Sequence, residues 1–142
     1  MSSENIIIFV YGTLLSGFGN HRLISESGDS EFLGKDTITG DMFGNGVPII
    51  SLQGTGTIHG ELYRITPSTL RKLDRLEGYH PEDPSTYGYN RTKVTTHLGV
   101  DTSVYAMHPS RAAEAGAWRD RIESGDFRLH REQHIGRMRN PW

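Results

Sequence analysis

The chain has 142 residues and no cysteine. That single absence removes disulfides, thiolate nucleophiles and Cys-built metal sites, and it suits a cytoplasmic protein. An excess of either charge is missing too: 15 Lys and Arg stand against 17 Asp and Glu, a formal net charge of -2. Nothing therefore pulls the whole chain toward nucleic acid or an anionic surface, and neither a nucleic-acid nor a membrane partner is expected. No apolar run approaches the ~20 residues of a membrane span. The opening "MSSENIIIFVYGTL" carries a short apolar run with no basic segment ahead of it, which reads as a strand rather than a signal peptide. No linker, repeat or low-complexity stretch interrupts the chain, so one domain over residues 1–142 is expected, with a basic C-terminal tail from about residue 128. The oligomeric state is left open.

Glycine is abundant, at 17 residues, as short strands joined by tight turns require. Strand patterns run over residues 5–11, 37–43, 47–52, 57–65, 89–97 and 100–107, the last two forming a hairpin turned at "LGVD". A short helix fits somewhere within residues 15–30. The clearest helix follows Thr66, with Pro67 in its first turn and Gly78 as its stop. Another is expected over residues 111–124, with Trp118, Ile122 and Phe127 packing it on the core. Strands before and after a central helix, without regular alternation, predict an α+β fold: a small mixed, mostly antiparallel, barrel-like sheet with flanking helices.

The helix "TPSTLRKLDRLEG" contains an anomaly. At 100° per residue Leu70, Leu73 and Leu76 form the inward stripe, and Glu77 falls between Leu70 and Leu73. Arg71, Lys72 and Arg75 take the opposite side, and Asp74 sits at the border. A carboxyl directed inward is costly to ionise, so its pKa rises toward the range a general acid/base needs. The wheel alone also allows a structural ion pair, for instance with Arg91.

A second set of residues weights the choice. "YGTL" at 11–14 directly follows a buried strand, and "SGFGNHRLI", "GELYRI", "LDRLEGY" and "YGYNRTKV" follow in order. Across roughly residues 6 to 107 this set resembles the gamma-glutamylcyclotransferase-like family. The resemblance implies a small mixed barrel with flanking helices, and a "YGTL" loop that holds substrate through backbone N–H groups. It also implies that the glutamate of the "LD..EG" segment, here Glu77, is the acid/base. The implied reaction is attack of a gamma-glutamyl group's own α-amine on its side-chain amide. It releases 5-oxoproline and an amine and needs no metal or cofactor.

On that reading Tyr11, Gly12, Thr13 and Leu14 form the binding turn, and Gly12 lets a ligand approach the backbone closely. Tyr87 or Tyr89 closes the pocket, and Arg91 pairs with a substrate carboxylate. Each also fits a plainer role: Thr13 in the turn alone, Tyr89 on a sheet face, Arg91 on a strand surface. The partner is a small gamma-glutamyl molecule. The alternative is a non-catalytic module that binds a small molecule in the same pocket.

Other motifs fail on spacing. "HREQH" at 130–134 has two histidines at i and i+4, but Arg131 stands where the zincin pattern requires Glu. "GTGTIHG" has the wrong spacing for a dinucleotide loop. No G-x-S-x-G occurs, so a serine hydrolase has no support. The tail, with Arg128, Arg131, Arg137 and Arg139, reads as basic and poorly patterned.

Overall fold

A computed structural model describes residues 6–44, 47–79, 89–109 and 121–139, with the side chains of 134–139 excepted. Strand β1 (Ile6–Val10) lies at the centre of a five-stranded sheet. Five consecutive aliphatic and aromatic residues are what a strand covered on both faces requires, and Ile8, Phe9 and Val10 are fully buried. β2 (Glu31–Thr39), β5 (Thr57–Ile65), β6 (Asn90–Thr95) and β7 (Asp101–Ala106) complete the sheet in the order β2-β5-β1-β7-β6. Among the described residues only the β1–β7 pairing is parallel, with Ile8 opposite Ser103; the other pairings are antiparallel.

β3 (Asp41–Phe43), β4 (Ile49–Ser51) and β8 (Arg121–Ile122) form a second, three-stranded sheet in the order β4-β3-β8. The class is α+β and mostly antiparallel, as expected. Among the described residues the strands make two sheets rather than a closed barrel. The strand expected over 37–43 divides at Gly40, its first part in one sheet and its last in the other. α1 (Arg22–Ser25) is the short helix expected in 15–30, preceded by a 3-10 turn at Gly19–His21.

α2 (Pro67–Glu77) starts and stops where its caps dictate. Thr66 Oγ1 accepts from the amide of Thr69 at 3.2 Å. Gly78 takes the left-handed conformation, φ 68°, which lets Tyr79 N–H reach Asp74 O at 2.9 Å and close the helix. Glu77 is therefore the last helical residue. The buried face differs from the expected stripe: Leu73 and Asp74 are inside, and Leu76 is 42% exposed. The helix is turned so that Asp74 meets two strong partners described below, and Leu76 is turned outward.

The C-terminal region differs most from expectation. α3 (Phe127–Arg139) is a helix where the sequence reads as a featureless basic tail. The helix expected over 111–124 lies mostly outside the described residues, and at its end Arg121–Ile122 form β8 instead. His130 lies on α3, with the side chain of His134 outside the described residues. Among the described residues no helix is long and apolar enough to cross a membrane.

Candidate active site

Where β1 leaves the sheet, the chain turns tightly. The amide of Leu15 donates to Gly12 O at 3.0 Å and closes the turn. Its outer side is tied to the following segment: Asn20 Nδ2 donates to Thr13 Oγ1 at 2.9 Å, and His21 Nδ1 donates to Leu14 O at 2.8 Å. Among the described residues the amides of Gly12, Thr13 and Leu14 meet no acceptor. Gly12 is required for a reason other than ligand approach. A Cβ there would stand 2.7 Å from Pro48 Cγ, so the missing side chain makes room for the protein's own loop.

These three residues border a small cleft of about 30 Å3, open to solvent. Glu77 borders the same cleft from the end of α2, with Tyr11, Tyr89 and Tyr105 completing much of its wall. Backbone hydrogen bonding fixes the helix end, because Tyr89 N–H donates to Glu77 O at 2.9 Å. Tyr89 also donates from its hydroxyl to Pro48 O at 2.7 Å, which holds the Pro48 loop against Gly12. Tyr87 lies outside the described residues.

The two acids of α2 have opposite surroundings. Asp74, 8% exposed, accepts from Arg91 Nε at 2.9 Å and Nη2 at 3.2 Å, and from the Tyr105 hydroxyl at 2.7 Å. Glu77, one turn on, has a carboxyl that no donor among the described residues meets. Burial pushes its pKa up to about 7. The neighbouring phenols are driven the other way from ionisation. Burial, then Tyr89 and Glu77, raise Tyr11 well above the phenol range; burial and the bond to Asp74 raise Tyr105. Both stay protonated as donors, Tyr11 to Tyr105 O at 2.6 Å. The cleft thus combines one carboxyl able to exchange a proton near neutrality with open backbone donors, in an aromatic wall.

Of the residues singled out in the sequence, the structure brings Tyr11, Gly12, Thr13, Leu14, Tyr89 and Glu77 to one cleft. Arg91 is not among its walls. Its guanidinium is engaged by Asp74 and lies 5.0 Å from the Tyr79 ring centroid, apart from the cleft where a carboxylate clamp was expected. Asp74, Pro48 and Tyr105 were missed. The wheel position of Asp74, at the edge of the inward stripe, was the available signal for the first; nothing local marks the other two.

The Asp74 cluster joins α2, β6 and β7 behind the cleft. Asp74→Ala would strand the Arg91 guanidinium and the Tyr105 hydroxyl. It is expected to lower unfolding free energy by about 2–3 kcal/mol, below the ~3–5 of a fully buried pair because Arg91 is partly open. Urea denaturation checks this, and a change under about 0.5 kcal/mol, the scale of a bland surface substitution, would make the cluster ornamental.

Comparison with known proteins follows the same lines. The family model described as gamma-glutamyl cyclotransferase, AIG2-like, matches residues 8–129. MJ1514 of Methanocaldococcus jannaschii, provisionally named a gamma-glutamylcyclotransferase, is 32% identical over 127 residues, covering 87% of this chain and 97% of its own. The gamma-L-glutamyl-butirosin B gamma-glutamyl cyclotransferase of Niallia circulans is 32% identical over 100 residues, covering 65% of this chain and 62% of its own. Among solved structures, the uncharacterised protein PH0828 of Pyrococcus horikoshii superposes with a TM-score of 0.67 at 24% identity. That match covers 92% of this chain and 97% of the other.

Proposed function

The chain belongs to the gamma-glutamyl cyclotransferase, AIG2-like family, and on that premise we propose that it cyclises a gamma-glutamyl amide to 5-oxoproline and a free amine, with Glu77 as acid/base. The observation that carries this reading is the Glu77 carboxyl, which meets no donor among the described residues and whose pKa burial pushes up to about 7, on the same cleft as the amides of residues 12–14, which meet no acceptor among them.

The substrate contains its own nucleophile. Ionised Glu77 takes a proton from the α-ammonium group, and the freed nitrogen attacks the side-chain amide carbon. A carbon–nitrogen bond forms, the carbonyl becomes an oxyanion, and the five-membered ring closes. The protonated Glu77 then gives its proton to the leaving nitrogen, the oxyanion re-forms the carbonyl as the amide bond breaks, and the amine departs; the second proton of the ring nitrogen passes through the regenerated Glu77 carboxylate to that amine, which leaves as its ammonium ion. Holding the substrate folded supplies most of the advantage, since effective molarity in well-oriented systems is worth about 7–11 kcal/mol. The amides of Gly12, Thr13 and Leu14 suit the substrate's carboxylate or the developing oxyanion. Protonated Tyr11 and Tyr105 exclude water without adding charge. A proton shuttle suffices for every step, so neither metal nor cofactor is required.

The relative from Niallia circulans acts, by its name, on gamma-L-glutamyl-butirosin B. The test panel therefore includes gamma-glutamyl amines beside gamma-glutamyl peptides and the gamma-glutamyl amide of lysine's side chain. Release of 5-oxoproline in equal amount to free amine is the expected result. No release from any member, with ligand binding retained, would leave the non-catalytic binding module.

The pH profile gives an independent check. Glu77 must be ionised to act as base, so kcat/KM is expected to fall tenfold per pH unit below a midpoint near 7. A midpoint in the ordinary carboxylate range would remove Glu77 from that role.

A further inference from the structure

Glu61 is a buried acid that the proposed chemistry does not use. It belongs to the "GELY" stretch of β5, opposite Val10 on β1 and Lys35 on β2, and is 4% exposed. A carboxylate inside a sheet is tolerated only when its oxygens are bonded. Here four donors converge. Oε1 accepts from the amide of Ser16 at 2.9 Å and from the Tyr63 hydroxyl at 2.9 Å. Oε2 accepts from Ser16 Oγ at 3.1 Å and from Arg128 Nη2 at 3.2 Å. Burial alone would raise its pKa, but the bonds from Ser16 and Tyr63, with the Arg128 charge, hold it below the ordinary value.

Two of the four donors belong to Ser16, the residue directly after the Gly12–Leu15 turn. Arg128, from the first turn of α3, also reaches Ser16 Oγ at 3.3 Å and lies 5.5 Å from the Phe18 ring centroid. The remaining polar anchors of the turn, Asn20 on Thr13 and His21 on Leu14, come from the same chain segment and move with it. Glu61 and Arg128 supply the polar ties of that segment to the sheet and to the C-terminal helix, beside the packing of His21 on Tyr63 and of Phe18 on Phe127.

We propose that Glu61, bridged to Arg128, is a positioning residue that orients the open amides of Gly12, Thr13 and Leu14 and so sets affinity for the anionic end of the ligand. The proposal rests on the reading that those amides hold substrate. It separates two acids by role: Glu77 moves protons, and Glu61 shapes the anion seat without touching the ligand. Gln at position 61 keeps one acceptor but presents an NH2 group to donors, and to the Arg128 charge.

The test is steady-state kinetics of Glu61→Gln and Arg128→Ala on whichever gamma-glutamyl amide the wild type turns over. KM is expected to rise about tenfold in Glu61→Gln, equivalent to one lost charge-assisted hydrogen bond, with kcat within about threefold of wild type. Arg128→Ala is expected to move KM in the same direction, and Arg128→Lys to restore much of it. An unchanged KM in both variants, or a fall in kcat alone, would overturn the proposal. If Glu61→Gln does not fold, Arg128→Ala decides, since that side chain is 38% exposed and its loss leaves the core intact. If the wild type turns over none of the panel, the cyclotransferase reading fails and the positioning claim is read separately. Amide hydrogen exchange of Leu15, whose N–H closes the turn, should then quicken in Arg128→Ala, and an unchanged rate would refute it.

Discussion

Glu77→Gln is expected to lower kcat by about 10²–10⁴-fold, the usual contribution of a general acid/base, with KM changed far less. Gln keeps the volume and the helix but cannot exchange protons. A variant retaining more than about a tenth of wild-type kcat would lie outside that range and exclude Glu77 as the proton carrier. The same substitution should stabilise the fold, and the sign follows from burial. Glu77 titrates near 7 in the folded protein, above its ordinary value of 4.5. Between those values the folded state holds a proton that the unfolded state has released. Stability is therefore full below the lower value and is lost as pH rises through 7. Gln does not titrate, so the two proteins should melt together in acid. By about pH 8 the variant should be the more stable, by up to ~3 kcal/mol at the conversion of 1.36 kcal/mol per pKa unit. Equal melting across the range would mean that Glu77 is better solvated than its place in the cleft indicates. A residue whose removal costs turnover and adds stability is held in place by function.

Legibility in the sequence followed how local each cause was. α2 was readable to the residue because Thr66, Pro67 and Gly78 act within one turn of themselves. β1, β5 and the β6–β7 hairpin were readable from their residue patterns. The first half of β2, Glu31–Asp36, was not: its residues mix polar and apolar without alternation, and only pairing with β5 makes it a strand. The site divided the same way. Glu77 announced itself by a mismatch between its chemistry and its place on the wheel, whereas the "YGTL" turn entered only through the family resemblance that the ordered motifs carry. Arg91 was misplaced because its partner is chosen across the fold. Asp74, not a ligand, supplies the matching carboxylate, and the Asp74–Arg91–Tyr105 cluster then rolls Leu76 outward. Pro48 and Gly12 fit each other through a contact between distant segments, which composition cannot encode.

Phe127→Ala is expected to cost about 3–5 kcal/mol, the usual loss for a buried aromatic ring, and to weaken the site at a distance. The residue, expected from the sequence to pack on the core, opens the helix that stands where the basic tail was expected; its side chain is 0% exposed and packs 5.5 Å from the Phe18 ring centroid. Asp126 secures that first turn, accepting from the amide of Leu129 at 3.1 Å. Arg128, next in sequence, is half of the clamp on Ser16. An isolated helix of about 12–15 residues or fewer is marginal in water, so α3, with 13 residues, is held by this packing rather than by propensity. Loss of the ring therefore loosens the helix, withdraws Arg128 from Glu61, and should raise KM alongside the drop in stability. A truncation after His130 keeps Phe127 but leaves only a single turn of α3, and it should be impaired in the same direction. Leu129→Ala is the internal control: 40% exposed on the same helix, it should shift the urea midpoint by no more than a surface substitution does, about 0.5 kcal/mol. Indistinguishable midpoints for Phe127→Ala and Leu129→Ala would return the region to the status of a tail.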